Sequence, residues 1–133
     1  MNNVQLQSAS ESNEQICLFR WAEYASATIP ELTLLFHIPN GGKRCKATAK
    51  RLKAEGVKAG VPDLFLPVPR GIFNGLFIEL KRECGGTASA KQKEWLDKLA
   101  RQGYCVAICH GWEKAADVIK CYLQTGGNGR VEN

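Results

Sequence analysis

Hydrophobic positions recur along this chain with two different periods. Gly60 to Leu66 and Leu76 to Lys81 are short apolar runs bounded by Pro or Gly, the pattern of strands, and Pro67-Val68-Pro69-Arg70-Gly71 with Asn74-Gly75 supplies a turn between them. Thr33 to Ile38 reads as a buried strand ended by Pro39-Asn40-Gly41-Gly42, and Tyr104 to His110 as a further one. Between these runs the period changes to that of a helix. Ser12 with Gln15 reads as a capping box opening a helix to about Ala25, on which Cys17, Leu18, Trp21 and Ala25 form one stripe with Glu14 in its middle. Ala47 to Ala54 should be helical and ended by Gly56. Ser89 with Gln92 is a second capping box, opening a helix to about Gln102, and Trp112 to about Gln124 is a last helix covering the sheet.

This order of elements predicts an α/β fold. The strands ending at Leu66 and starting at Leu76 are antiparallel neighbours, and the helix before Tyr104 makes a crossover to a parallel strand. A chain of 133 residues accommodates one domain, placed at residues 11–124, with flexible ends at 1–10 and 125–133.

The alternation of side chains along a strand puts Phe77, Glu79 and Lys81 on one face and Ile78 and Leu80 on the other. An antiparallel partner brings Asp63 beside Glu79. Two carboxylates and an ammonium then share one place. Facing carboxylates repel unless a cation lies between them, and hard oxygen donors suit Mg²⁺ or Mn²⁺. The same residues also suit a plain ion pair on a sheet face, with Asp63 capping a turn.

Charge sharpens the picture once it is located. The net charge of +5 is concentrated between residues 43 and 58, where Lys43, Arg44, Lys46, Lys50, Arg51, Lys53 and Lys58 face a single acid, Glu55; the remainder of the chain is close to neutral. Such a patch suits a polyanion, although a solvated helix face has the same composition. Six cysteines include no C-x-x-C pair, so they are expected to be reduced and mostly buried. No run approaches the roughly 18 apolar residues of a membrane span. The start lacks a basic flank with an apolar stretch, which suggests a cytosolic protein.

Pro62-Asp63 followed after fifteen residues by Glu79-Leu80-Lys81 resembles the PD-(D/E)XK nuclease signature. The longer string Gly56-Val57-Lys58-Ala59-Gly60-Val61-Pro62-Asp63-Leu64-Phe65-Leu66, with Phe77-Ile78-Glu79-Leu80-Lys81, resembles the VRR-NUC family of virus-type replication and repair nucleases, with similarity from about Glu14 to Leu123. That resemblance implies a restriction-endonuclease-like αβββαβ core with a mixed four-stranded sheet flanked by helices, the basic helix being inserted after the first strand. It implies a Mg²⁺- or Mn²⁺-dependent deoxyribonuclease. Asp63, Glu79 and the backbone carbonyl of Leu80 would hold metal, with Glu14 completing the shell directly or through water; Lys81 would position the attacking water and Gln92 the water or phosphate. Glu14 is preferred to Glu11, which precedes the expected cap, and to Glu23, which points outward. Asn40 and the basic residues 43–58 would contact DNA. His37 stands where the family carries a similar His, and Lys91 is a backbone or phosphate contact at most. Stand-alone relatives are typically phage-encoded dimers similar to Holliday-junction resolvases, which suggests branched DNA as substrate and a homodimer in the host-cell cytoplasm. A non-cleaving DNA-binding module, or a flap- or restriction-type nuclease, would share the fold.

Overall fold

A computed structural model describes residues 10–39 and 45–125. Its elements are α1 (Glu11–Ala25), a 3₁₀ turn (Pro30–Leu34), β1 (Phe36–His37), α2 (Lys46–Ala54), β2 (Leu64–Leu66), β3 (Leu76–Lys81), α3 (Ala90–Arg101), β4 (Cys105–His110) and α4 (Trp112–Thr125). The strands form one mixed sheet in the order β1-β2-β3-β4. β1 and β3 both run antiparallel to β2, and β4 runs parallel to β3 across the α3 crossover. This is the expected α/β architecture. Asn40, Lys43 and Arg44, with the segments 1–9 and 126–133, lie outside the described residues. No described helix is long and apolar enough to cross a membrane.

The sheet sorts its side chains as the period-2 pattern requires. Leu64 and Leu66 of β2, Leu76, Ile78 and Leu80 of β3, and Cys105, Ala107 and Cys109 of β4 all belong to the core, with Leu18 and Ala22 of α1 and Ala115, Ile119 and Tyr122 of α4. On the opposite face Phe65 stacks on Phe77 with ring centroids 4.2 Å apart, and Tyr104 packs edge-on against both rings. Every residue of β3 is buried, because it has a strand on each side and a packed layer on each face. At the far end of α4 the Tyr122 hydroxyl donates to the Val68 carbonyl at 2.6 Å, and Arg70 reaches the Leu123 carbonyl at 3.2 Å and Glu31 at 2.8 Å. These bonds fix the β2–β3 connection, so β3 enters the sheet at one register.

Three expectations are corrected. The run from Thr33 to Ile38 is mostly not a strand: Pro30 opens a 3₁₀ turn that inserts Leu32 and Leu35 into the core, leaving a two-residue, exposed edge strand. A proline fixes φ and lacks an N–H, which favours a turn over a ladder. The cap of α1 is Ser10, whose hydroxyl accepts from the Asn13 N–H at 3.2 Å, and Ser12 lies inside the helix. Of the six cysteines only Cys105 and Cys109 are buried, and Cys45, Cys84 and Cys121 are exposed.

Removing the Tyr122 hydroxyl leaves the buried Val68 carbonyl without its donor. Tyr122→Phe is therefore expected to lower stability by about 1–3 kcal/mol. Urea denaturation should show the midpoint falling with the slope unchanged.

Candidate active site

Leu64 pairs with Ile78, and continuing that antiparallel register by one residue sets Asp63 opposite Glu79. Directly opposed residues project to the same face. One step further, Pro62 stands opposite Leu80 and has no N–H to give its carbonyl. The N–H of Leu80 is taken by the Asp63 carboxylate, Oδ2 accepting at 2.8 Å. The β2–β3 ladder thus ends at Leu64, and the Asp63 side chain caps it. The Asp63 carbonyl accepts from the Ile38 N–H at 2.7 Å and lies 2.9 Å from His37 Nδ1, which ties β1 to the same point.

The loop before Asp63 is fixed against α3. Gly60 has a φ of +90°, and a Cβ there would lie 2.9 Å from Lys91 Cγ and 3.0 Å from Trp95 Cδ1, so only glycine fits. The Trp95 indole N–H donates to the Ala59 carbonyl at 3.1 Å.

Glu79 is 1% exposed and Lys81 6% exposed, although both are charged residue types. Glu79 Oε1 accepts from Gln92 Nε2 at 2.8 Å and lies 3.5 Å from Lys81 Nζ. The Lys81 ammonium donates to Gln92 Oε1 at 3.1 Å. Gln92 sits in the capping box of α3, where its Oε1 also accepts from the Ser89 N–H at 2.8 Å and its own N–H donates to Ser89 Oγ at 3.1 Å. Capping and contact with the carboxylate are therefore one arrangement: the helix end holds the amide that holds Glu79.

Glu14 is buried, as its place on the stripe predicts, but its carboxylate points to the start of α4. Oε1 accepts from the Trp112 N–H at 3.4 Å, and Oε2 has no hydrogen-bond partner. The acid of α1 that reaches the β3 face is Glu11, with Oε1 3.7 Å from Lys81 Nζ. With the cap at Ser10 and not at the expected Ser12, Glu11 falls inside the first turn of α1. Among the described residues no three His, Cys, Asp or Glu side chains come together as a ready-made metal cluster. Lys46, Lys50, Arg51, Lys53 and Lys58 are all exposed, and none makes contact with Asp63, Glu79 or Lys81 among the described interactions.

Burial first, and then the neighbouring charge of Asp63, lift the Glu79 carboxyl from the ordinary 4.5 to about 8, against the opposing pull of Lys81. Its Oε2 is buried without a partner. A buried carboxylate oxygen with no donor is costly unless a proton, a cation or a water meets it. Asp63, Glu79 and the Leu80 carbonyl are all hard oxygen donors. Mg²⁺ is held by one or two protein carboxylates with water and substrate phosphate completing the shell, so this donor set fits such an ion.

A family model described as the VRR-NUC domain matches residues 10–113. A solved structure described as a VRR_NUC domain protein is 30% identical, and the match covers 89% of this chain and 91% of that one with a TM-score of 0.76. Comparison with curated protein sequences gives no match.

The raised Glu79 value carries a stability prediction for the metal-free protein. Between pH 4.5 and about 8 the folded chain keeps a proton that the unfolded chain has released, so stability falls as pH rises through that window and levels off above it. In EDTA, denaturation midpoints should decline from pH 5 to pH 8, and Glu79→Gln should flatten the decline. An undiminished decline in that variant would place the titrating group elsewhere.

Proposed function

The chain belongs to the VRR-NUC family, and from that premise we propose that it is a metal-dependent deoxyribonuclease that hydrolyses phosphodiester bonds in DNA. The observation that carries this reading is the Glu79 carboxylate: buried, opposite Asp63, clamped by Gln92 and Lys81, and with one oxygen unpaired. Such an arrangement is unfavourable by itself and becomes favourable when a divalent cation joins it.

Asp63, Glu79 and the Leu80 carbonyl would hold Mg²⁺ or Mn²⁺, with Glu14 and the newly placed Glu11 acting through water. The bound ion supplies Lewis-acid polarisation of the phosphate. Lys81 acts from its fixed place between Glu79, Gln92 and Glu11, orienting the attacking water and offsetting the charge that develops on phosphate. Gln92, locked by the capping box, keeps Lys81 and Glu79 from collapsing into a closed ion pair, since its amide bonds both. Water forms the new bond to phosphorus as the bond to the 3′ oxygen breaks, and that oxygen leaves with a proton. The products are a 5′-phosphate and a 3′-hydroxyl.

One such site cuts one strand. A two-fold dimer would supply paired cuts, so branched DNA of the Holliday-junction type, cut by a homodimer, is the proposed substrate and state. Labelled single-stranded, duplex, flap and four-way DNA incubated with Mg²⁺, Mn²⁺ or EDTA tests the reading. Cleavage is expected with either metal, greatest on the branched substrates, and none in EDTA. Asp63→Ala and Glu79→Gln should lower the rate by ~100-fold or more, and Lys81→Gln by a similar factor. Cutting by Asp63→Ala at the wild-type rate would remove the site assignment.

A further inference from the structure

Helix α2 is built unlike the other helices of the chain. None of its residues is buried, and only Leu52 is even half-buried. At nine residues it is shorter than the roughly 12–15 that an unsupported helix needs in water. Its N-cap is Cys45, a residue outside the usual capping set whose Sγ lies 3.0 Å from Thr48 Oγ1, and its first residue is Lys46, a cation at the positive end of the helix dipole. The helix holds four cations and no acid. Lys46 and Lys50, and Lys50 and Lys53, repel at one-turn spacing, while the Arg51–Glu55 pair at 3.4 Å is well exposed and contributes little. Only the C-terminal end is well closed, by the Gly56 N–H on the Lys53 carbonyl and the Val57 N–H on the Leu52 carbonyl.

Each of these features weakens the helix in isolation, and most are reversed by one kind of partner. Lys46, Lys50 and Lys53 stand at i, i+4 and i+7, so their side chains form a single stripe about 10 Å long, roughly three base-pair steps of duplex DNA. A row of phosphates along that stripe would remove the repulsion and replace solvation of the cations with ion pairs. The C-terminal end of α2 borders a cleft of about 430 Å³ whose lining includes Glu55, Gly56, Val57, Lys58, Val61 and Trp95, and so reaches the loop that precedes Asp63.

We infer that α2 is a DNA-ordered arm: a marginal helix that becomes stable on the phosphate backbone of the duplex flanking the cleavage point and holds it beside the loop that carries Asp63. The inference rests on the proposed action on DNA and adds the class of structure contacted, a duplex arm, and the element that contacts it.

Amide hydrogen exchange on the full chain in EDTA, where nothing is cut, tests it with duplex and single-stranded oligonucleotides. Residues 46–54 are expected to exchange fast in the free protein and to slow by roughly tenfold or more with saturating duplex. The triple variant Lys46→Gln, Lys50→Gln, Lys53→Gln should bind with a salt dependence shallower by about 0.9 in slope per lysine removed. Bound duplex that leaves 46–54 unprotected, or an unchanged salt slope, overturns the inference while leaving the nuclease reading intact. Protection by single strands equal to that by duplex overturns its duplex part. Failure of the chain to bind any DNA overturns the nuclease reading itself.

Discussion

A carboxylate shut away from water must be neutralised by a proton, a cation or donors, and the arrangement around β3 follows from that requirement at Glu79. Its strand has neighbours on both sides and layers on both faces, so Glu79 is almost wholly shielded from solvent. Register then brings Asp63 opposite, adding a second negative charge where the first is already poorly solvated. The surrounding residues offset part of this cost: the Lys81 ammonium and the Gln92 amide both reach Oε1. They leave Oε2 alone. A site that is satisfied on one side only keeps its affinity for a further positive partner, which a fully paired carboxylate would lose.

The pieces that hold this half-satisfied state come from helix starts. α3 offers Gln92 from its capping box, and α1 offers Glu11 from its first turn. α4 offers the Trp112 N–H, which meets Glu14. The start of a helix exposes unpaired N–H groups and the positive end of its dipole. Bringing helix starts to the C-terminal ends of β3 and β4 therefore surrounds the acidic residues with a favourable field that adds no side-chain cation to Lys81. Proline contributes in the same economical way, since Pro62 ends the ladder and leaves Leu80 with a carbonyl that its neighbour opposite cannot serve.

Much of this is legible in the sequence, because alternation along a strand is rigid. Once Leu64 to Leu66 and Leu76 to Lys81 are taken as neighbouring antiparallel strands, the shared face of Asp63, Glu79 and Lys81 follows, and the Ser89 and Gln92 pair announces the helix start beside it. What is not legible is where several equivalent signals compete. Ser8, Ser10 and Ser12 all carry cap chemistry, and the choice among them decides whether Glu11 lies outside the helix or beside Lys81. The run Leu32 to Leu35 is equally apolar as turn or strand, and Pro30 tips it to the turn. The direction taken by Glu14 depends on where α4 begins, a contact across 98 residues that no local pattern encodes.

The distribution of charge separates a basic segment from the acidic site. Nearly all the positive excess lies in residues 43–58, and the rest of the chain is close to neutral. Had the cations of α2, Lys46, Lys50, Arg51 and Lys53, lain against Asp63 and Glu79, they would have paired the carboxylates. Placed on an exposed helix, they can attract a polyanion over a Debye length of about 8–10 Å without discharging the acids. The two are linked mechanically through Gly60, whose close packing on Lys91 and Trp95 fixes the chain between α2 and Asp63 to α3. Under the proposed reading, a substrate held on α2 would thereby be positioned relative to α3, whose Gln92 holds Glu79 and Lys81.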